Sequence, residues 1–176
     1  MEKSCCRNDT KISNFRYKKM KISNLTKANF YLKLFSITKI PLIWFCKPKI
    51  VRIDDEVIEV KIKLNRRTKN HLNSMYFGAL SVGADITGGF LAMYCIKKSN
   101  KNISLVFKDF KADFLKRPLG NVHFHCNQGY EISNLVNKTI KSRDRQNLLL
   151  NVDATVPSVS NEIVAKFQLT LSLKNI

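Results

Sequence analysis

The stretch 76-YFGALSVGADITGGFLAMYCI-96 decides the fold. Asp85 is its only charged residue, and four of the chain's six glycines (Gly78, Gly83, Gly88 and Gly89) fall within it. Its length would suit a membrane span. Against a span stand the glycines, an ionisable group near the middle, and clear strand patterns on both sides. A helix that is apolar all round in a globular chain must be enclosed on every side. The small residues 78, 79, 83, 84, 88 and 89 would let a sheet approach its backbone closely. A buried central helix is therefore predicted over 75–97.

Around that helix the sequence alternates with period two, the signature of half-buried strands. Upstream, Val51 and Ile53 flank Arg52, Asp54-Asp55 reads as a turn, and Ile58, Val60, Ile62 and Leu64 alternate with Glu59, Lys61 and Lys63. Downstream, Ile103, Leu105 and Phe107 are followed in opposite phase by Phe110, Ala112 and Phe114; a slip at Lys108-Asp109 is what a β-bulge produces. Val122, Phe124 and Cys126 alternate with His123 and His125. Residues 131–142 switch to helical spacing, and two long alternations then run from Leu148 to Val156 and from Ile163 to Leu173. The expectation is an α+β fold in which a curved antiparallel sheet wraps around the central apolar helix.

Before residue 50, Leu25, Ala28, Leu32, Phe35 and Ile40 fall on one helical face and Pro41 is a stop signal. An extra N-terminal helix, taken over 24–46, is expected to pack across a single domain spanning 24–176. Residues 1–23 are basic and polar and are expected to form a mobile extension.

Length, 44% hydrophobic and 25% charged residues, and low Gly and Pro exclude a disordered, collagen-like or low-complexity chain. The formal net charge is +18, and residues 1–49 carry 12 basic against 2 acidic side chains. That bias suits polyanions, either an anionic membrane surface or phosphate-bearing ligands, with nucleic acid a weaker expectation. Five cysteines without a C-x-x-C motif read as reduced thiols in a cytoplasmic chain, and the N-terminus lacks the apolar run of a secretory signal.

A lone carboxylate on an uncharged helix is costly when buried without a partner. Asp85 therefore has three readings: tied to backbone amides or hydroxyls, half-exposed at an interface, or set at a functional cleft. His123 and His125 project to one face of a strand, but no third ligand at suitable spacing accompanies them, so no metal is expected. Cys95 reads as a buried thiol.

The segment 70-NHLNSMYFGALSVGADITGG-89 resembles the start of the central helix in hotdog-fold acyl-CoA thioesterases of the phenylacetate-pathway type. There, Tyr76-Phe77-Gly78 takes the place of a His-Gly-Gly motif, of which only the last glycine is kept. It is more similar still to a thioesterase-like hotdog branch with an N-terminal helix, an Asn-His-x-x-x-Met-Tyr-Phe-Gly approach and an Ala-Asp-x-x-Gly-Gly helix. The segments 110-FKADFLKRP-118 and 154-ATVPS-158 also look like that branch, and the likeness covers residues 25–174. It implies hydrolysis of an acyl thioester, with Asp85 as general base or nucleophile and the amides of Phe77 and Gly78 as oxyanion hole. It implies Asn70, Asn73 and Tyr76 as positioning groups, and a homodimer or dimer of dimers with the pocket between subunits. Coenzyme A would enter as part of the substrate, not as a cofactor, its phosphates meeting Lys116 and Arg117 or the rivals Arg66 and Arg67. The alternative is an acyl-CoA- or lipid-binding hotdog protein without turnover, attached to an anionic surface by its basic N-terminus.

Overall fold

The computed structural model describes residues 22–142 and 144–176; apart from Ile22 and Ser23, the expected extension over 1–23 lies outside them. The element order is α1 (Ile22–Thr38), α2 (Pro41–Cys46), β1 (Lys49–Ile53), β2 (Ile58–Ile62), α3 (Phe77–Ser99), β3 (Ile103–Phe114), β4 (Val122–Cys126), α4 (Gly129–Lys141), β5 (Gln146–Val156) and β6 (Ser160–Asn175). The strands form one antiparallel sheet in the order β1-β2-β4-β5-β6-β3, wrapped around α3. This is the hotdog arrangement.

Helix α3 forms where the central helix is expected, with both ends two residues later than 75–97. It is long and apolar enough to cross a membrane, yet 67% of its most apolar window is buried inside the fold. Its glycines explain how the sheet closes on it. A Cβ on Gly83 would lie 2.2 Å from Cζ of Phe124, and one on Gly88 would lie 3.2 Å from Cδ1 of Leu150. Phe124 and Leu150 come from the central strands β4 and β5, so the sheet reaches the helix backbone where those strands cross it. Ile58, Val60, Ile62, Leu169 and Leu171 complete the inner face and are all fully buried.

The β1–β2 hairpin turns at Asp54, whose Oδ1 accepts the Glu56 and Val57 amides while Oδ2 receives the Arg52 guanidinium. The expected bulge in β3 is present: register with β6 slips between Phe107 and Phe110, and Asp109 Oδ1 accepts the Thr170 amide there. Edge strand β1 is covered by α1. Asn29 accepts from the Ile50 amide and donates to the Ile50 carbonyl, each at 2.9 Å, so one side chain stands in for a neighbouring strand.

One element departs from expectation. A single helix over 24–46 is replaced by α1 and α2 with a break at Lys39-Ile40. Proline offers no amide to continue a helix but fits the first turn of a new one, so Pro41 ends the first helix and opens the second.

Replacing Gly83 by Ala sets two terms against each other. Alanine gains about 1 kcal/mol in helix propensity, whereas displacing a fully buried ring costs about 1–3 kcal/mol. Phe124 is held against Phe167 at a ring-centroid distance of 6.3 Å, so the second term wins. Gly83→Ala is expected to lower unfolding free energy in urea by about 1 kcal/mol; an increase would show that the ring is not tightly held.

Candidate active site

The site is organised by the start of α3. The loop before it is pinned by Thr68, whose Oγ1 donates to the Lys63 carbonyl and accepts the Asn65 amide. The Tyr76 amide donates to the Thr68 carbonyl and the Met75 amide to the Pro118 carbonyl, which ties the loop to the end of β3. The first helical hydrogen bonds run from Ala79 and Leu80 to the Tyr76 carbonyl. The amides of Phe77 and Gly78 therefore have no acceptor among the described residues, and Tyr76 supplies no side-chain cap. Two free amides at the positive end of a long helix suit a developing oxyanion.

Beside them opens a cleft of about 460 Å³. Met75, Leu80, Phe114 and Leu115 give it apolar walls, and Asn70, Tyr76, Phe77, Lys116 and Arg117 also line it. The rings of Tyr76, Phe77, Phe114 and Phe167 pack in succession, the first pair tilted and the next two edge-to-face, at 4.6, 6.4 and 6.1 Å between centroids, which fixes the wall formed by β3 and β6. Tyr76 also bears on the helix start: a Cβ on Gly78 would meet its ring at 2.6 Å.

The expected site residues thus separate into groups. Asn70, Tyr76, Phe77, Lys116 and Arg117 share the cleft. Asn70 Oδ1 already accepts from the Leu72 and Ser74 amides and the Ser74 hydroxyl, so this oxygen holds the loop. Lys116 is paired with Glu162, whereas Arg117 makes no ion pair among the described residues. Asn73 adopts a left-handed backbone (φ 59°) and accepts from Lys69; it lines a neighbouring hollow with Arg66. The Arg67 guanidinium lies over the Phe45 ring at 5.8 Å.

Asp85 lies seven residues beyond Gly78, roughly 10 Å along the helix axis. It belongs to a stripe of incompletely covered positions at four-residue spacing, Phe77, Ser81, Asp85, Gly89 and Met93. No described residue donates a hydrogen bond or charge to its carboxylate. Burial alone pushes its pKa above the usual carboxylate range. Within one chain, this carboxylate and the two free amides are too far apart to act on one atom.

On the outer face of the sheet, His123 Nδ1 lies 2.6 Å from Glu59 Oε1. Burial holds the His125 imidazole below its usual pKa. The pairing with Glu59 was invisible in sequence because it joins residues far apart in the chain; the β2–β4 register alone brings them together.

These features define a hotdog protein with a cleft at the head of its central helix. Residues 29–173 match the family described as a domain of unknown function, DUF4442, and the chain belongs to that family. No protein of curated function matches it. Among solved structures it is similar to a candidate thioesterase from Shewanella oneidensis (TM-score 0.72, 14% identity, 85% of this chain and 99% of that one). It is also similar to a protein of unknown function from Chlorobaculum tepidum (TM-score 0.76, 13% identity, 86% and 97%). A third is a thioesterase from Haemophilus influenzae (TM-score 0.63, 16% identity, 90% and 93%). At these identities the likeness carries the fold.

Ionising Asp85 opposes folding, because its raised native pKa makes the neutral form the favoured one. The stability it contributes is complete below the ordinary carboxylate range and is lost as pH rises through the elevated native value. Asp85→Asn is therefore expected to raise Tm at neutral pH, with the gain vanishing in acid. A gain that persists unchanged at low pH would assign it to packing instead of ionisation.

Proposed function

We propose that this protein is an acyl thioester hydrolase that works as a homodimer. The observation carrying this reading is the largely buried carboxylate of Asp85, without a partner among the described residues, on the same incompletely covered helix face as the amides of Phe77 and Gly78. In the proposed site, one subunit's amides hold the thioester carbonyl oxygen while the other subunit's Asp85 acts on its carbon. As general base, Asp85 takes a proton from water; the hydroxide adds to the carbonyl, and collapse of the tetrahedral species breaks the C–S bond and releases thiolate. As nucleophile, it forms a mixed anhydride with loss of thiolate, which water then hydrolyses.

The edge strand supports the dimer. β3 has β6 on one side only, and Val106, Phe110 and Phe114 are 42%, 43% and 50% exposed. An edge with exposed apolar side chains is a template for pairing, and a second β3 would continue the sheet. The acyl chain fits between Leu80, Phe114 and Leu115. The unpaired Arg117 suits the phosphates of a coenzyme A ester, with the Glu162-held Lys116 contributing less. Acyl-CoA binding without turnover is the second reading, favoured by the Tyr76 ring crowding the helix start.

Thiol release from short, medium, long and aromatic acyl-CoAs is expected for the wild type and absent for Asp85→Asn. Release that survives the substitution removes Asp85 from the chemistry; binding of acyl-CoA with no release by the wild type establishes the second reading. The rate should rise with pH through the elevated Asp85 pKa.

A shared site makes a sharper prediction. Asp85→Asn and Gly78→Val are each expected to be inactive, yet refolding them together should restore about a quarter of wild-type activity, since half the dimers are mixed and each has one intact site. Mixtures that stay inactive would place both groups in one subunit. Arg117→Ala is expected to raise KM a few-fold with little change in kcat, consistent with one exposed charge contact; an unchanged KM would exclude Arg117 from carrier binding.

A further inference from the structure

We infer that the outward face of α1 and α2 is a docking surface for an anionic lipid bilayer. This inference is independent of the catalytic reading. Helix α1 has two apolar faces. The inner one, with Leu32 buried and Leu25, Ala28 and Phe35 packed against the core, belongs to the fold. The outer one carries Phe30, Leu34 and Ile37, spaced four and three residues apart, at 68%, 49% and 49% exposure. Helix α2 adds two further exposed apolar side chains, Leu42 (61%) and Phe45 (50%), the latter beneath the Arg67 guanidinium. Phe30, Lys33, Trp44, Lys47 and Lys49 line one open cleft of about 650 Å³ between the helices.

The choice of occupant follows from charge. From Ile22 to Ile50, the stretch that carries both helices, there are five Lys residues and no Asp or Glu. A protein partner of ordinary composition would need to supply acidic groups around an apolar centre; an anionic bilayer presents both, phosphates above hydrocarbon, over an unlimited area. The side chains are disposed for that boundary. Trp44 is half-exposed, with Lys33 Nζ at 5.8 Å and Lys47 Nζ at 5.6 Å from its ring centroid. An indole flanked by two long cationic side chains suits the headgroup level, where the ring meets the apolar side and the ammonium groups reach phosphate. Phe30, Leu34 and Leu42 would enter the acyl boundary.

Trp44 is the chain's single tryptophan, so its emission reports directly on this surface. The full chain would be titrated with vesicles of phosphatidylcholine alone and of phosphatidylcholine containing phosphatidylserine. The expected result is co-sedimentation with the anionic vesicles, a blue shift of Trp44 emission, and quenching by brominated acyl chains. The triple variant F30S/L34S/L42S changes only exposed side chains and should keep its Tm while losing at least about tenfold in partitioning. Four results would overturn the inference: equal binding by the variant; co-sedimentation with Trp44 emission unchanged, which would place the contact in the basic N-terminal segment; a Trp44 shift with duplex DNA but not with vesicles; and an oligomeric wild type made monomeric by the variant, which would assign the face to a second copy of the chain.

Discussion

The structure depends on enclosing a helix that has no polar face. With only Asp85 charged over 76–96, α3 is stable only if the sheet surrounds it, and the sheet can do so only where the helix backbone is bare. Gly83 meets Phe124 of β4 and Gly88 meets Leu150 of β5. Side chains at those positions would hold the central strands off and leave the inner faces of β2 and β6 without a partner. The slip between Phe107 and Phe110 serves the same end, since a bulge sharpens the local twist of β3 where the sheet's free edge bends around the helix.

Enclosure by one sheet is incomplete, and the functional reading lives in what is left uncovered. A six-stranded sheet covers most of α3 but not the stripe through Phe77, Ser81, Asp85, Gly89 and Met93. A chain selected for monomeric stability alone would place a small neutral residue at 85, because a carboxylate raised in pKa by burial opposes folding whenever it is ionised. In the proposed hydrolase that stability cost is the counterpart of keeping a carboxylate for chemistry. The two free amides at the head of α3 are likewise left unsatisfied by a loop that satisfies its own groups well, through Thr68 and Asn70.

The fold was largely legible because period two and a charge-poor helix are one-dimensional signals. The strand phases, the bulge at Lys108-Asp109 and the central helix all follow from which residues are apolar. Sequence was less informative where one segment carries two patterns. Leu25, Ala28, Leu32 and Phe35 identify the buried face of α1, and having found one apolar face the periodicity says nothing of Phe30, Leu34 and Ile37. At the site, the helix motif locates Asp85 and Gly78, but the grouping of the loop residues is tertiary. Only the register of β3 and the Met75–Pro118 hydrogen bond bring Lys116 and Arg117 to Tyr76 while sending Arg66 and Asn73 elsewhere. The ion pair of Lys116 with Glu162 needs two strands to be placed first.

The changed motif Tyr76-Phe77-Gly78 can be understood from which of its parts the backbone uses. The free donors at the helix head are main-chain amides, and their direction is set by the turn of α3, not by the side chain at 76. Exchanging an imidazole for a phenol there leaves those donors in place. A Cβ on residue 78 would displace the exposed Tyr76 ring, which has solvent to move into, so the ring and the bare Cα beneath it define how closely the helix start is covered. What this arrangement alters is access to the amides, not the donors themselves.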